Sequence, residues 1–417
     1  MSNLEFVKGV WNMSKESSNK EKYLFYGSII FLFCYFFQLF GFTNTWALLG
    51  SGIILFFSVL LKRKIYINIR EIILAASLLL YTSIAGFGIT SIISVTFLPV
   101  LFMAIGEYMV RSSVATEENR LYWLLGVLVA GFTLHGILNS ILYFKLGVSE
   151  GTVRWWVDIW TGIELPATHH NVYILPILAL TFPALLFFKK YNWICGVILL
   201  SDFFLIMHSV YSFSRIPILI WGILLVFEFV LFVIFNRTNK ELVNYLKKIG
   251  IVLLGCIFCV LVIIIGLSIW KNRNFLGSLD RDGGIIHNIR FKAQMNVIKQ
   301  LFVYPLGGYQ MDLCGLQYCH NVWLDIANAS GLIPFFLMII YTIVSCVDII
   351  NFLRNPYFKN LLKYIISGLY FAFVVYYMVE PALMADVKFF VPWTYINGLV
   401  YGCNIMSRKR KEEYETY

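Results

Sequence analysis

The chain has 417 residues, of which 59% are hydrophobic, 18% aromatic and only 13% charged, and its formal net charge is +10. A soluble globular protein carries roughly 25% charged residues, whereas these apolar residues form runs of about 17 to 24, long enough to cross a hydrocarbon core of roughly 30 Å. The composition excludes a soluble protein and predicts an all-α polytopic integral membrane protein, with residues 1–417 as a single transmembrane domain. Its positive charge fits membrane topology and anionic lipid and does not indicate nucleic-acid binding.

The hydrophobic runs predict about twelve transmembrane helices. The first 22 residues are polar and lead directly into a full-length span, so we expect no cleavable signal peptide. The predicted spans are 23–42, 45–61, 71–89, 91–110, 121–144, 171–188, 192–210, 215–235, 249–270, 331–353, 364–384 and 388–406. In the closely spaced pairs within 71–110 and 364–406, a re-entrant segment is the alternative to a full span.

Lysine and arginine predict the orientation of these spans. They are frequent at the N-terminus, in every second loop and in the C-terminal tail, and they are absent from the short loops 42–45 and 89–91. Because cytoplasmic loops carry the excess of basic residues, we predict that both termini are cytoplasmic. The two longest loops, 145–170 and 271–325, then lie outside. The second keeps several basic residues against this bias, which suggests that it holds an anion.

Residues 153–160 of the first outer loop, "VRWWVDIW", are rich in aromatic side chains. Such a run suits either an interfacial aromatic belt or a platform for sugar rings, since both use flat apolar faces. His169 and His170 end this loop, and adjacent helical residues point to different sides, so they chelate a metal poorly as a pair. Asp280 and Asp282 in "SLDRDGG" form a D-x-D that we interpret as a solvated turn. We therefore predict neither a metal nor a cofactor.

Arg215 lies in "YSFSRIPILIW", residues 211–221, where a short polar turn enters an apolar helix at the outer side. Two roles fit this position. The side chain can snorkel to the membrane interface, or its planar, permanently charged guanidinium can bind a phosphate.

The stretch "NIRFKAQMNVIKQLFVYPLGGYQ", residues 288–310, predicts an amphipathic helix on the outer surface. Its apolar face consists of residues spaced by i, i+4, i+7 and i+11: Phe291, Met295, Ile298 and Phe302. Arg290 is near the helix start, either as part of a solvated basic face or as a functional cation. The following proline and paired glycines predict a turn that the backbone approaches closely.

His320 and Asn321 lie in "YCHNVWLDIANASG", residues 318–331, directly before a long apolar helix. A histidine here is either a capping or interfacial side chain, or a base that works near neutral pH. Cys314 and Cys319 either form a disulfide just before His320 or remain free thiols. Glu380 lies near the outer end of a later span, where it fits an ion pair with Arg215 or Arg290, a proton acceptor, or a purely structural pair.

In this order and spacing, "SFSRIPILIW", "NIRFKAQMNVIKQLFVYPLGGYQ" and "CHNVWLDIANASGLIPF" resemble the O-antigen ligase and polymerase superfamily. The match covers residues 211–335, about a third of the chain, and the glycines of "PLGGYQ" are shifted relative to the family's usual turn. Elsewhere the agreement is in the number of spans and in Glu380.

The resemblance implies a metal-independent glycosyltransferase of the bacterial inner membrane, with its active site facing outside on residues 271–330. Its substrate would be an undecaprenyl-diphosphate-linked oligosaccharide, and a chain-length regulator protein is a candidate partner. It assigns catalysis to residues that stabilise the leaving diphosphate and activate the acceptor hydroxyl, namely Arg215, Arg290 and His320. We expect substrate contacts from Asn321, Glu380, Tyr309 and His170.

We favour a repeat-unit polymerase, which moves a glycan onto the sugar hydroxyl of the next lipid-linked unit. An O-antigen ligase, which moves it onto lipid A–core, shares this chemistry. A flippase or transporter of lipid-linked oligosaccharides is the alternative of another class. It predicts charges buried in the middle of spans and two related halves, and we find no repeated half in the sequence.

Overall fold

The computed structural model describes residues 3–111, 117–146, 155–212, 214–236, 250 and 289–415. Apart from residue 250, the predicted span 249–270 lies outside the described residues, as do residues 271–288 with Asp280 and Asp282.

The described part of the chain is almost entirely helical. Its α-helices are α1 (Asn3–Phe36), α2 (Asn44–Lys62), α3 (Ile69–Ile84), α4 (Ile89–Arg111), α5 (Glu117–Leu146), α6 (Ala167–Leu178), α7 (Thr181–Phe187), α8 (Asn192–Tyr211), α9 (Ile216–Asn236), α10 (Ile289–Gln300), α11 (Val322–Ser330), α12 (Leu332–Arg354), α13 (Asn360–Val379), α14 (Ala382–Ala385) and α15 (Val391–Glu415). A hairpin of β1 (Trp155–Val157) and β2 (Glu164–Pro166) precedes α6, and a 3-10 turn, Val387–Phe389, follows α14.

The prediction of an all-α membrane protein is confirmed, whereas the number of spans is confirmed only in part. Among the described residues, eight helical segments are long and apolar enough to cross a membrane: Asn44–Lys62, Ile89–Arg111, Asn119–Leu146, Thr168–Phe187, Asn192–Tyr211, Ile216–Asn236, Leu332–Arg354 and Asn360–Val379. The predicted spans 23–42, 71–89 and 388–406 coincide with parts of α1, α3 and α15, which are not among the eight. Twelve spans therefore remain a prediction.

Trp155–Val157 of the aromatic run form β1 of the β-hairpin, with Trp156 opposite Leu165. Trp156 is buried and its indole N–H donates to Pro166 O, whereas Trp155 is 49% exposed. Trp160 also points inward, since its indole N–H donates to Phe37 O at 3.3 Å. Trp160 thus attaches the hairpin to the end of α1, and the ring of Trp156 packs against His170 of α6. The sequence did not predict these packing roles.

Asp158 fixes the hairpin turn and ties it to the bundle. Its Oδ1 accepts the N–H groups of Trp160 and Thr161, and its Oδ2 is 2.9 Å from Nε2 of His135 on α5. Burial raises the pKa of Asp158, but the hydrogen bonds from His135 and Thr161 outweigh burial and hold that pKa below its ordinary value. Since the hairpin leads directly into α6, this anchor also positions the first turn of α6.

The two ends of the bundle differ in chemistry. Arg70 at the start of α3 donates to Asp348 Oδ1 of α12 at 2.9 Å, and both Arg70 and Arg111 lie over the ring of Tyr401. About 16 Å further along α3, at 1.5 Å per residue, the hydroxyl of Tyr81 contacts the sulfur of Met384. Arg70 and Arg111, from two of the loops that the sequence predicts to be cytoplasmic, therefore lie at one end, and Met384 belongs to the opposite end.

Close contact between α4 and α15 holds the centre of the bundle. A Cβ at Gly398 would lie 2.0 Å from Met103 O, so only glycine permits this approach. Small residues of this kind let membrane helices pack backbone to backbone. Trp393, fully buried on α15, fills the space beside Tyr341 and Tyr377.

Candidate active site

The amphipathic helix predicted after residue 288 is present as α10. Ala293 and Val297 form its buried face, and Val297 packs with Leu324 and Ala327 of α11. The apolar face named in the sequence is not covered by the rest of the protein, with exposures from 37% at Met295 to 72% at Phe302. The helix therefore packs through its small residues.

The turn that follows α10 presses against the junction of α11 and α12, as its glycines predicted. Leu332 N–H donates to Pro305 O at 2.9 Å, and a Cβ at Gly331 would lie 2.1 Å from that same oxygen. At Gly307 a Cβ would lie 2.5 Å from the nitrogen of Gly331, and both glycines have positive φ. This close approach fixes α10 relative to α11.

His320 occupies a left-handed backbone conformation, with φ 57°. Non-glycine residues rarely adopt this conformation, so its neighbours must hold it. Asn321 caps α11, because its side chain accepts the N–H of Leu324 at 3.1 Å. The same side chain donates to Met378 O at 3.4 Å and joins the His320 loop to the end of α13.

Asp325, on the first turn of α11, lies beneath this loop and is 3% exposed. Its two oxygens accept the amide N–H groups on either side of His320, Oδ1 from Cys319 at 2.6 Å and Oδ2 from Asn321 at 3.3 Å. Burial raises the pKa of Asp325 to about 7, although these two hydrogen bonds lower it, and the charge of Glu380 raises it further.

Glu380 brings Arg290 and His320 together. It follows the last residue of α13, and its side chain is 1% exposed. Arg290 Nη1 donates to Glu380 Oε1 at 3.2 Å and to Val379 O at 3.3 Å. His320 Nδ1 lies 3.4 Å from Glu380 Oε2, within ion-pair distance although not aligned as a hydrogen bond. One buried carboxylate therefore faces a guanidinium and an imidazole.

Gln294, one turn after Arg290 on α10, joins the same three elements. Its amide nitrogen is 3.3 Å from His320 O and 3.4 Å from both Cys319 O and Met378 O. A single carboxamide thus binds α10 to the His320 loop and to the end of α13. These contacts make the arrangement of Arg290, His320 and Glu380 a packed feature of the fold.

A cavity of about 390 Å³ opens beside His320 and Glu380. The start of α6 supplies Thr168 and His169, the loop before α11 supplies Gln317 and Tyr318, and α13 supplies Tyr376. Among the described residues that line it, Glu380 is the only carboxylate, and there is no lysine or arginine. The cavity thus presents hydroxyls, an amide, imidazoles and aromatic rings, which suit a polyhydroxylated ligand better than a free anion.

Arg215 is at the start of α9 and does not line the cavity. Within the described part of the chain, its side chain makes no ion pair or hydrogen bond with Arg290, His320 or Glu380. Its neighbour Ser214 donates to Asn171 Oδ1 at 2.7 Å, and Asn171 follows the histidines of α6. Arg215 is therefore tied to the helix whose first turn lines the cavity, but the structure does not bring it into the cluster.

His170 and Tyr309 are also outside the cavity. His170 is 2% exposed and points into the bundle, with Nε2 3.1 Å from Gly136 O and its ring against Trp156, whereas His169 lines the cavity. Tyr309 has φ 59° and donates its N–H to Asn328 O at 2.9 Å. Its ring is 48% exposed.

Cys314 and Cys319 are free thiols in this structure. Cys319 is fully buried in the small apolar cluster under α10, while Cys314 is half-buried. Burial, followed by the nearby charge of Asp325, raises the pKa of the Cys319 thiol. The structure therefore places one of the two thiols out of reach of solvent.

Several residues of this site were missed from the sequence. Asp325 and Gln294 have no distinctive motif, and Gln317, Tyr318 and Tyr376 are ordinary loop and helix residues. A signal was present for Asp325 alone, because an aspartate in the first turn of a short helix after "CHN" is placed to accept backbone amides. In comparisons with models of known protein families and with curated proteins, the chain matches none.

Proposed function

We propose that the protein transfers a glycan from an undecaprenyl-diphosphate carrier to a sugar hydroxyl on another lipid-linked repeat unit, as a polysaccharide polymerase on the outer face of a bacterial inner membrane. One observation carries the proposal. Glu380 joins Arg290 and His320 at a cavity at the bundle end opposite the basic loops.

In this reaction the acceptor oxygen bonds to the anomeric carbon of the donor sugar. The bond from that carbon to the diphosphate oxygen breaks, and its electron pair leaves with the undecaprenyl diphosphate. The hydroxyl proton passes to His320. Because Nδ1 of His320 faces Glu380, Nε2 is the nitrogen that takes this proton, and the carboxylate stabilises the imidazolium that forms.

Arg290 lies where negative charge develops. Its side chain is 31% exposed, and a guanidinium is well suited to a diphosphate. No lysine or arginine is among the described residues that line the cavity, so we propose that the cavity binds the sugar. The diphosphate would bind next to the cavity, on the side where Arg290 contacts Glu380. Arg215 remains assigned to the diphosphate by resemblance.

Gene deletion followed by gel analysis of the surface glycan tests the proposal. Glycan of one repeat unit supports a polymerase, and polymer stranded on undecaprenyl diphosphate supports a ligase. Unchanged glycan contradicts both. Complementation with H320A should fail to restore chain extension, whereas K292A, which alters an exposed residue on the helix of Arg290, should restore it.

The transporter alternative gains support from one observation. Asp202, near the middle of α8, and Glu228, on α9, are 3% and 1% exposed, and buried charges within spans often mark transport pathways. Asp202 accepts a hydrogen bond from Thr181, where α6 and α7 are interrupted. If the protein is a transporter, D202N and E228Q should stop transbilayer movement of a labelled lipid-linked oligosaccharide in vesicles, and H320A should not.

A further inference from the structure

We propose that Asp325 is a positioning residue for His320, and that its buried carboxylate holds the histidine backbone in the left-handed conformation that places the imidazole against Glu380. The inference rests on the proposed function only for what His320 does, since the backbone arrangement is independent of any substrate.

The geometry assigns this role because the two oxygens of Asp325 accept the backbone N–H groups of the residue before His320 and of the residue after it. Cys319 N–H and Asn321 N–H point to the same carboxylate, at 2.6 and 3.3 Å, and His320 lies between them with φ 57°. A chain with extended backbone at residue 320 would separate these two amides. The carboxylate therefore favours the turned conformation over the extended one.

The surroundings of Asp325 argue against a merely stabilising role. The described groups that face it are Glu380 at the end of α13, Tyr81 on α3, and Tyr309, Tyr318 and the Cys319 thiol in the loop before α11, and none of these is a cation. A buried carboxylate without a cation is costly to keep. An arrangement that is costly and also strained is typical of functional sites.

Substitutions at position 320 test the positioning role of Asp325 without an activity assay. If Asp325 compensates for an unfavourable φ, glycine at position 320 should reduce the need for it, because glycine adopts positive φ without strain. H320A and H320G both remove the imidazole and its contact with Glu380. They differ mainly in backbone preference, so H320A is the matched control for H320G.

The experiment is a double-mutant cycle on the full-length protein in nanodiscs, with the apparent Tm as the measurement. D325N is introduced into the wild type, H320A and H320G. We expect D325N to lower the Tm by several degrees more in H320A than in H320G. Equal effects in the two backgrounds would overturn the proposal, and so would a larger effect in H320G.

A second measurement covers the case in which D325N folds poorly in the H320A background. In the otherwise wild-type protein, diethylpyrocarbonate modification of His320 is followed by mass spectrometry, with His169 in the same molecule as the reference. We expect the His320 rate in D325N to change at least threefold relative to His169. An unchanged ratio in folded D325N would overturn the positioning role.

Glycan extension by the same variants separates this inference from the proposed function. If the cycle and the labelling behave as expected but wild-type protein extends no glycan, the proposed function fails and the positioning role stands. If H320A abolishes extension while D325N extends at the wild-type rate, the function stands and the positioning role is wrong.

Discussion

Glu380 Oε2 lies 3.4 Å from Nδ1 of His320, and the other oxygen of the same carboxylate accepts a hydrogen bond from Arg290. A guanidinium and an imidazole from separate elements thus meet at one carboxylate that is 1% exposed. In this arrangement Glu380 both orients the proposed base and holds the guanidinium beside the cavity. Its removal should affect catalysis more than folding.

We expect E380Q to remain in the membrane and its chain-extension rate to fall about tenfold or more, because the amide no longer stabilises a charged imidazole. Arg290 is 31% exposed, so water replaces part of its lost contact and the fold should persist. The measurement is the rate at which lipid-linked product lengthens, with E164Q in the β1–β2 hairpin as the control. A wild-type rate in E380Q would show that the carboxylate is only structural.

Substitution of Arg290 by lysine tests whether its positive charge is sufficient or whether the planar guanidinium is needed. If its role is the ion pair with Glu380 alone, R290K should keep most of the activity, since a single nitrogen makes both described contacts. If it binds the leaving diphosphate, we expect R290K to lose about tenfold or more and R290A to lose all measurable extension. Release of undecaprenyl diphosphate is the measurement.

K292R, on the same helix, controls for the exchange of lysine and arginine on this surface. It should match the wild type in both expression and release rate. A loss in K292R equal to that in R290K would indicate a general effect of α10 rather than a specific site.

The sequence predicted the elements better than their contacts. Apolar runs identified the helices because a hydrocarbon core imposes length and composition, and the i, i+4, i+7 spacing identified α10. The same spacing did not reveal which face of α10 is buried, because Ala293 and Val297 bury less surface than Phe291 but permit a closer approach to α11. The apolar face named from the sequence is directed away from the bundle, and the small residues face α11.

Within the site, Arg290, His320 and Glu380 were named from sequence, but the contact of His320 with the carboxylate that binds Arg290 was not predicted. Glu380 is 60 residues from His320 in the chain, and no local spacing reports a contact at that distance. Two equally plausible partners were open for Glu380, Arg215 and Arg290, and only the packing of α10 on the end of α13 decides for Arg290. Gln294 and Asp325 bind backbone groups, which are the same in every residue type, so the sequence does not show which residues they contact.

Arg215 is the predicted catalytic residue whose role most needs a measurement. We expect R215A to abolish chain extension, and R215K to fall by about tenfold or more if the guanidinium binds diphosphate as a fork. If the residue only snorkels to the interface, R215K should equal the wild type, because a lysine also reaches the headgroups. The polymer ladder from complemented cells is the measurement, and R354A, an exposed arginine at the end of α12, is the control.

The two loop cysteines should differ in reactivity. Cys319 is fully buried and burial raises the pKa of its thiol, whereas Cys314 is half-buried. We expect a membrane-impermeant maleimide on intact cells to label Cys314 and to leave Cys319 unlabelled until the protein is unfolded. C314S should remove the label. Labelling of both residues only after reductant would instead reveal a disulfide between them in the cell.

Asp325 predicts an unusual dependence of stability on pH. Its pKa is about 7 in the folded protein and ordinarily 3.8, so the folded state holds this proton more tightly than the unfolded state does. The contribution to stability is therefore complete below pH 3.8 and is lost as the pH rises through 7, by roughly 2–3 kcal/mol between pH 5 and pH 8. D325N cannot ionise and should lack this component.

Thermal unfolding of the two proteins at pH 5, 6.5 and 8 checks this dependence. The other titrating groups are common to both proteins, so the difference in Tm isolates Asp325. We expect the Tm of D325N to rise relative to that of the wild type as the pH rises, and to approach or exceed it at pH 8. Chain extension by D325N should remain slower than that of the wild type. A Tm difference that is constant from pH 5 to pH 8 would mean that Asp325 stays in one protonation state throughout, and its carboxylate would then be less desolvated than its 3% exposure implies.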